Sequence, residues 1–415
     1  MLNDNLGLVT TIRERCRMCY TCVRECPAKA IRIADGQAAV LGERCIGCGN
    51  CVTVCSQGAK RVRNGLPLVE ALLADGRPVA ACLAPSFPAE FDQIEYPLLV
   101  GMLRQLGFGP VTEVAFGADL VALKYRELLA QPDQRRYIAT TCPAVVSYVE
   151  RYHPDLVPAL APIVSPMIAT ARALRKLHGA DLRIVFVGPC IAKKGEGVTR
   201  EVADELDAVL TFAELRQLFA VRGVQPRQAE PSEFDPPYAA KGVLFPISRG
   251  MLVTAEIEED LLADEVIAAS GHHEFTEVIK EFDSGHLEAR LLEVLCCDGC
   301  IMGAGMTTAA PLFRRRSRVT EYARLRMAVA DRDRHTDPAR RFWSRDQRLP
   351  TPSPEDVQAA LDKMGKRGPE DELNCGACGY NTCLEHAIAI CEGLAESEMC
   401  LPYAIDQLRA TCGQL

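Results

Sequence analysis

The 415-residue sequence lacks a long uninterrupted apolar run. Its most apolar stretch, LVPALAPIVSPMIATA, is short and contains three prolines, so we predict no membrane span. The N-terminal segment MLNDNLGLVTTIRERC lacks the basic-then-apolar order of a secretory signal. The net charge is −8, which gives no general reason to expect nucleic-acid binding. We therefore expect a cytoplasmic protein that acts neither in a membrane nor on nucleic acid.

Cysteine, in contrast, is abundant, with 20 residues in the chain. A disulfide framework is not expected without an export signal, because the cytosol keeps thiols reduced. Clustered cysteines in such a compartment indicate metal binding, and their spacing indicates which metal group they hold.

The pattern C-x2-C-x2-C-x3-C occurs twice near the N-terminus, at residues 16–26 and 45–55. It is the spacing of bacterial two-cluster ferredoxins, in which the fourth cysteine of each run ligates the other cluster. We assign one [4Fe–4S] cluster to Cys16, Cys19, Cys22 and Cys55, and another to Cys45, Cys48, Cys51 and Cys26. A pair of zinc sites is the alternative, but zinc sites rarely duplicate this spacing.

Residues 1–63 carry ten lysines and arginines against five aspartates and glutamates, a formal charge of +5. This excess either compensates for the negative clusters or provides a docking surface for an acidic electron-transfer partner. Both interpretations are compatible with an electron-transfer domain at residues 1–64.

Beyond residue 76, apolar runs such as RPVAACLAPS, LRIVFVGPC and AKGVLFPIS alternate with helical patterns such as EYPLLVGMLRQLGF. The alternation predicts βα units and a mainly parallel sheet, in which functional sites form where strands end. Cysteines follow three of the strand-like runs, namely Cys142, Cys190 and the group Cys296, Cys297 and Cys300. Thiols from three separate strand ends are therefore candidates to converge on one site.

Three ordered motifs surround these cysteines: TTCPAVV, GPCIAKKGE and EVLCCDGCIMGAG. Together they resemble the signature motifs of the catalytic domain of [FeFe]-hydrogenases. The upstream stretches APSFPAEF and EVAFGADLVALKYRE resemble other recurrent segments of that domain, so that the resemblance covers roughly residues 76–312. It implies an H-cluster, which is a [4Fe–4S] cubane bridged by one cysteine to a two-iron unit carrying CO, cyanide and a dithiolate.

By this resemblance the H-cluster ligands are Cys142, Cys190, one of Cys296 and Cys297, and Cys300 as the bridge. In many family members a glutamate stands four residues before the first cysteine of the third motif. Glu293 stands four residues before Cys297, so Cys297 is preferred. Cys296 is the alternative, because it would keep the usual three-residue gap before Cys300.

The resemblance also implies residues that contact the cyanides. Lys193 and Glu196 match the second motif, PC-x2-K-x2-E, whose lysine pairs with a cyanide in the family. Pro85 and Ser86 match the segment that lines the other cyanide, although Ser86 taken alone is also typical of a strand-end cap.

Several positions depart from the pattern of active family members. The first motif usually has two adjacent cysteines, the first of which relays protons, and Thr141 stands at that position. A hydroxyl has a far higher pKa than a thiol, so threonine is a poor acid–base relay. Gly188 and Leu295 replace family methionines, and Met167 replaces a glutamine. These departures predict slow H2 turnover, with an active enzyme that uses a water-based relay as the alternative.

A third group of cysteines lies near the C-terminus, with the spacing C-x2-C-x4-C-x16-C formed by Cys375, Cys378, Cys383 and Cys400. It resembles the small [4Fe–4S] domain of some membrane electron-transfer complexes and corrinoid iron–sulfur proteins. The combination of a ferredoxin head, an H-cluster domain and this tail resembles the sensory [FeFe]-hydrogenases, without the PAS domain that usually follows.

We predict an α+β and α/β multidomain protein with a ferredoxin-like two-cluster domain (residues 1–64), a two-lobed α/β hydrogenase domain (76–325) and a small helical [4Fe–4S] domain (355–415). Its predicted function is sensory or regulatory, with binding or slow conversion of H2 and electron relay through [4Fe–4S] clusters. The alternatives are an active H2-metabolising hydrogenase and an electron-transfer subunit that lacks the diiron unit. Expected partners are H2 and protons, a redox partner or downstream signalling protein, and the hydrogenase maturation proteins.

Overall fold

A computed structural model of the chain describes residues 7–132, 135–260, 262, 265–326 and 338–414. The described residues form two compact units. The first takes its residues from 1–45, 49–63 and 347–415, and the second from 46–48 and 64–346. Residues 1–6 and Leu415, which belong to the predicted terminal domains, lie outside the described residues. The predicted three-domain boundaries remain a prediction.

The N-terminal part of the first unit contains short elements between the cysteine runs: β1 (Val9–Thr11), α1 (Thr21–Arg24), β2 (Ile31–Ala34), β3 (Gln37–Val40), α2 (Asn50–Thr53) and β4 (Lys60–Val62). Strands β1 and β4 pair antiparallel, as do β2 and β3. The turn between β2 and β3 consists of Asp35 and Gly36, both at positive φ, which matches the twist of a two-residue hairpin. Helices α1 and α2 each carry the third cysteine of a run.

The second unit alternates helices with strands as the apolar runs predict. Its elements are α3 (Leu66–Ala74), β5 (Val79–Leu83), α4 (Phe87–Glu90), α5 (Tyr96–Gln105), β6 (Val111–Glu113), α6 (Ala115–Leu129), β7 (Tyr137–Ile138), α7 (Pro143–Tyr152), α8 (Pro166–His178), β8 (Arg183–Gly188), α9 (Ala192–Glu196), β9 (Ala208–Thr211), α10 (Phe212–Arg222), α11 (Gly250–Ala255), β10 (Val266–Ser270), α12 (Glu274–Asp283), β11 (Leu291–Leu295) and α13 (Leu312–Arg326).

Two parallel sheets organise this unit. The first has the strand order β6-β5-β8-β9 and the second has the order β10-β11-β7. All residues of β5 and β11 are buried, which explains why β5 is a continuous apolar run and why β11 is apolar except at Glu293. The mixed α/β fold class predicted from the sequence is confirmed, and the two sheets correspond to the two predicted lobes.

One strand-like run does not form a strand. The stretch AKGVLFPIS forms a 3-10 turn at Lys241–Leu244, followed by an irregular segment. The backbone N–H groups of Ala240 and Gly242 donate to the Asp119 carboxylate, at 2.6 and 2.8 Å. A carboxylate on α6 thus takes the hydrogen bonds that a strand would make, and the absence of a side chain at Gly242 permits the close approach to Ala115.

The C-terminal part of the first unit contains α14 (Pro354–Lys363), α15 (Cys383–Cys391) and α16 (Leu401–Gln414). Helices α14 and α15 pack together through a small core that includes Val357, Leu361, Met364 and Ala387. Ser353 caps α14 and Thr382 caps α15, each by accepting a backbone N–H in the first turn. No helix in the described ranges is long and apolar enough to cross a lipid bilayer.

The contact between α6 and α8 gives a test of this packing. A Cβ atom at Gly117 would lie 2.3 Å from both the Pro166 carbonyl oxygen and the Thr170 hydroxyl oxygen. We expect Gly117→Ala to lower the free energy of unfolding by about 1–3 kcal/mol through overpacking, measured by thermal unfolding followed by circular dichroism.

Gly197→Ala is the matched control, because its Cβ would first meet the flexible end of Leu206 at 3.3 Å. Equal melting temperatures for the two variants would contradict the described contact between α6 and α8.

Candidate metal centres

Four cysteine side chains of the second unit come together at strand ends. Cys142 lies between β7 and α7, Cys190 follows β8, and Cys297 and Cys300 follow β11. The pKa of Cys190 is raised to about 11 and that of Cys300 to about 12. Burial is the largest cause, and the neighbouring thiols add to it. A bound metal cation stabilises the thiolate form of cysteine. Buried neighbouring thiols with raised pKa values are therefore suited to bind a metal group.

The structure separates the two candidate cysteines of the third motif. Cys297 interacts electrostatically with Cys190, Cys142, Cys300 and Cys48, whereas Cys296 interacts with Cys48, Cys142 and Cys297. Cys296 is 1% exposed and lies beside His272, with its Sγ 3.5 Å from the imidazole Nδ1. Cys297 therefore differs from Cys296 in its interactions with Cys190 and Cys300, and Cys296 differs in its contact with His272.

A cavity of about 600 Å³ opens beside Cys190 and Cys300. Its lining combines apolar side chains with a few polar ones, which is the composition of a small-molecule or cofactor site. The lining residues that the sequence singled out are Pro85, Ser86, Thr141, Met167, Cys190, Lys193, Leu295 and Cys300. The structure therefore brings all of these positions to one wall or another of a single cavity.

Lys193 contributes the cationic part of this lining. Its Nζ donates to Glu196 Oε2 at 2.7 Å, and Arg340 Nη1 lies 3.1 Å from Glu196 Oε1. Burial raises the pKa of Glu196, but Lys193 and Arg340 outweigh burial and hold it below its ordinary value. One carboxylate is thus shared by two cations, which leaves this buried trio with an excess of positive charge.

Ser86 is fully buried at the start of α4, yet its hydroxyl makes no capping bond. Its Oγ has no hydrogen-bond partner among the described residues, and the side chain lines the cavity. An unsatisfied buried hydroxyl costs free energy, so it is expected to have a partner when the cavity is filled. This arrangement fits a hydrogen-bond-accepting group in the cavity better than a strand-end cap.

Glu293 is a cavity residue that we did not predict as a site residue. It is 2% exposed, its Oε1 accepts the Met251 N–H at 3.1 Å, and its Oε2 has no partner among the described residues. Burial raises the pKa of Glu293 to about 7. The signal in the sequence is a single acidic residue inside the apolar strand LLEVL.

Three of the four positions that depart from the family pattern line this cavity, and the fourth, Gly188, lies next to a residue that lines it. Met167 and Leu295 line it. At Gly188 a Cβ would lie 2.6 Å from the Phe186 ring, and Phe186 itself lines the cavity. An aromatic ring therefore occupies the space next to the position where the family carries a methionine.

In the first unit, Cys16, Cys19, Cys22 and Cys55 line one cavity of about 380 Å³. Burial raises the pKa of Cys22, and its three neighbouring cysteines raise it further. Backbone N–H groups donate to the sulfurs of Cys26 and Cys55, each at 3.3 Å, an arrangement typical of cluster ligands. The fourth cysteine of the second run thus lies with the first three of the first run.

The four C-terminal cysteines line a second cavity of the first unit, of about 360 Å³, together with Lys366 and His386. This region packs directly on the N-terminal cysteine region. Arg24 Nη2 donates to the Gly376 carbonyl at 3.3 Å, and Ile33 N–H donates to the Leu394 carbonyl at 3.2 Å. Chain segments more than 300 residues apart in sequence therefore form one body.

Each cavity of the first unit is lined by four cysteines. The central cavity is lined by Cys190 and Cys300, and both interact electrostatically with Cys142 and Cys297 nearby. Thiolates are the ligands that hold [4Fe–4S] clusters, and a set of four satisfies one cubane. The residues present therefore fit the iron–sulfur groups that the spacing predicts. At the central cavity, the free Ser86 hydroxyl and the Lys193 ammonium also fit an anionic group with acceptor atoms.

Comparison with known proteins agrees with this description. Residues 77–304 match the family "iron only hydrogenase large subunit, C-terminal domain". Residues 8–56 match a 4Fe–4S dicluster domain, and residues 371–402 match an Fe–S cluster family. The fold and cysteine sets define an iron–sulfur protein of hydrogenase type. Because the first match covers more than half of the chain, the protein belongs to the iron-only hydrogenase large-subunit family.

Among curated proteins, the chain is 32% identical over 253 residues to the periplasmic [Fe] hydrogenase large subunit of Nitratidesulfovibrio vulgaris, covering 53% of this chain and 59% of that protein. It is 27% identical over 212 residues to iron hydrogenase 1 of Clostridium pasteurianum, covering 45% of this chain and 37% of that protein. It is also 27% identical over 155 residues to the cytosolic Fe–S cluster assembly factor NAR1 of Yarrowia lipolytica, covering 33% and 32%. The chain thus spans less than two thirds of the length of these relatives.

Solved structures support the fold. A variant of [FeFe]-hydrogenase HydA1 from Chlamydomonas reinhardtii in its apo form superposes with a TM-score of 0.54 at 17% identity. The superposition covers 67% of this chain and 99% of that one. At this identity the likeness shows a shared fold.

The raised pKa of Glu293 predicts a pH-dependent stability. Between its ordinary pKa of 4.5 and about 7, the unfolded chain releases this proton while the folded chain retains it. The free energy of unfolding should therefore fall as pH rises through this window, by up to about 3 kcal/mol. Glu293→Gln should remove this component, so that its stability relative to wild type increases with pH in urea denaturation of the cluster-loaded protein.

The exposed Glu288 of the same unit provides the control, and Glu288→Gln should follow the wild-type pH profile. A Glu293→Gln profile parallel to wild type would show that Glu293 ionises normally.

Proposed function

We propose that this protein holds an H-cluster at the central cavity, binds or slowly converts H2 there, and relays electrons through [4Fe–4S] clusters in a sensory or regulatory role. The observation that carries the proposal is the convergence of four cysteines, two of which line a cavity together with Ser86 and Lys193. When bound, the diiron unit would supply the redox chemistry that interconverts H2 with two protons and two electrons.

The proposed ligands of the central cubane are Cys142, Cys190, Cys297 and Cys300, with Cys300 as the bridge to the diiron unit. The electrostatic contacts of Cys297 with the other three favour it over Cys296. Lys193 and Ser86 would bind the cyanides, Pro85 would line the same wall, and Glu196 would orient Lys193 through their 2.7 Å contact. A lysine held by a buried carboxylate keeps a fixed position, which limits the geometry of any group it binds.

Proton exchange at the cavity is where the slow turnover would arise. Thr141 lines the cavity at the position of the family's proton-relaying cysteine. Its hydroxyl is a weak acid and a weak base at neutral pH, so it exchanges protons slowly. Glu293 lines the cavity and has a pKa of about 7, so it is the acidic side chain of the lining that could exchange protons near neutral pH. A slow site suits a protein that reports H2 more than one that consumes it.

Electron relay would use the other [4Fe–4S] clusters. We propose clusters at Cys16, Cys19, Cys22 and Cys55, at Cys26, Cys45, Cys48 and Cys51, and at Cys375, Cys378, Cys383 and Cys400. Tyr380 lies next to the C-terminal cysteines and interacts electrostatically with Cys26. Lys29 Nζ lies 5.7 Å from the centroid of the Tyr380 ring. This proximity supports electron exchange between the C-terminal and N-terminal clusters.

The remaining parts of the proposal concern partners and location. The basic residues of the N-terminal region suit an acidic redox partner, and a downstream signalling protein would receive the output of a sensor. Hydrogenase maturation proteins would install the diiron unit. A cytoplasmic location is part of the proposal, because the cytosol keeps clustered thiols reduced and able to bind metal.

The presence of a diiron unit is tested by infrared spectroscopy. Protein loaded with [4Fe–4S] clusters and then with the diiron precursor should show CO and cyanide bands that shift when argon is replaced by H2. Lys193→Met should lose or broaden these bands because a cyanide contact is removed. Lys280→Met, which changes an exposed lysine of the same unit, should keep them.

No bands in protein with a full complement of cubane iron would instead support the second candidate, an electron-transfer protein with the hydrogenase fold. The similarity to Fe–S cluster assembly factors makes that outcome a specific alternative.

The proton-exchange role is tested at position 141. Thr141→Cys should raise H2 oxidation or evolution with a low-potential dye by at least about tenfold, because a thiol is a better acid–base relay. Thr141→Ser preserves a hydroxyl of similar size and should leave the rate near wild type. A Thr141→Cys rate equal to wild type would show that proton exchange at this position does not limit turnover.

A further inference from the structure

Three potential ligand atoms lie together outside the four-cysteine set of the central cavity. The sulfurs of Cys48 and Cys296 and a ring nitrogen of His272 all lie within 4.8 Å of one another. Cys48 belongs to the short segment 46–48 that groups with the second unit, so all three residues are parts of that unit. Cys296 is buried, and the other two residues are partly buried.

The parallel pairing of β10 and β11 builds this cluster. Ser270 pairs with Leu295 at the ends of the two strands, and Gly271 N–H donates to the Leu295 carbonyl at 3.1 Å. His272 and Cys296 therefore leave adjacent strands at the same level. Gly271 has a φ of +116° and its Cβ would lie 2.9 Å from the Asp298 carboxylate, so the turn that presents His272 needs glycine here.

Cys296 contacts both other members of this cluster, His272 and Cys48. Its Sγ lies 3.5 Å from His272 Nδ1, and its thiol is also a hydrogen-bond partner of Cys48. A thiol has one proton to donate and lone pairs with which to accept. With Nδ1–H of His272 donating to Cys296, the Cys296 proton is directed at the Cys48 sulfur.

We propose that Cys296, held in place by His272, donates an S–H···S hydrogen bond to Cys48 and thereby raises the reduction potential of the [4Fe–4S] cluster that Cys48 ligates. Cys296 is a positioning residue in this scheme and ligates no iron. The proposal rests on the ligand role of Cys48 given under the proposed function. It does not depend on the presence of a diiron unit.

The direction of the effect follows from electrostatics. Reduction adds negative charge to a cluster and its thiolates, and a donor hydrogen bond to a ligand sulfur stabilises that charge. Loss of the donor therefore makes reduction harder. Because Cys297 follows Cys296 directly, one hydrogen bond and a short run of covalent bonds also join the Cys48 sulfur to a ligand of the proposed central cubane.

The test is a redox titration of the [4Fe–4S]-loaded full chain, followed by electron paramagnetic resonance, with no diiron unit added. Cys296→Ala should keep the wild-type iron content and shift the potential of one N-terminal cluster to a more negative value. Cys296→Ser keeps a donor and should restore most of the shift. His272→Ala should shift the same cluster in the same direction by less, because the thiol remains but is no longer held.

Two controls separate this effect from ligand loss. Cys391→Ala removes an exposed thiol outside all the proposed ligand sets and should change neither iron content nor potentials. Cys297→Ala should lose about four iron atoms per chain, as expected for a cubane ligand.

Several results would overturn the proposal. An unchanged potential in Cys296→Ala would show that the Cys296–Cys48 hydrogen bond does not affect the reduction potential. A loss of about four iron atoms would show that Cys296 is a cluster ligand. Loss of a single bound zinc would indicate a separate mononuclear site at the three residues. A Cys48→Ala variant with unchanged cluster iron would overturn both the ligand role of Cys48 and this proposal. Missing infrared bands in diiron-loaded protein would count against the H2 function alone.

Discussion

Parallel strand pairing is the constraint on which the central site depends. Parallel neighbours end at the same edge of a sheet, so the loops that leave them meet there. The pairing of β5 with β8 brings the segment of Ser86 beside that of Cys190, and the pairing of β7 with β11 brings Cys142 near Cys297. Residues from four separate chain segments are thereby held on one cavity without a covalent link between them.

The cavity also depends on how its charges are compensated. A buried lysine is costly unless it is paired, and Lys193 is paired with a carboxylate that Arg340 shares. Ser86 and Glu293 each leave a polar atom without a protein partner among the described residues. Buried polar atoms that face a cavity without a protein partner are a feature of a prepared binding site.

The first unit depends on the packing of two segments from opposite ends of the chain. The N-terminal segment is too short and too rich in loops to bury much apolar surface alone, and residues 347–414 are similar in this respect. Their contacts, from Arg24 to Gly376 and from Ile33 to Leu394, combine them into one body. Cysteine sets at the two ends of the chain therefore share a scaffold, which gives a structural basis for electron exchange between them.

The sequence by itself determined the cysteine spacings, the family and some of the strands, because cysteine spacing and apolar runs are local properties of the chain. It predicted a strand at AKGVLFPIS, which was wrong because Asp119, distant in sequence, captures that backbone. Only the tertiary structure placed Glu293 and Arg340 at the site and set Cys296 apart from Cys297. Those assignments depend on strand register and on side-chain direction after the last paired residue, and neither is fixed by local spacing.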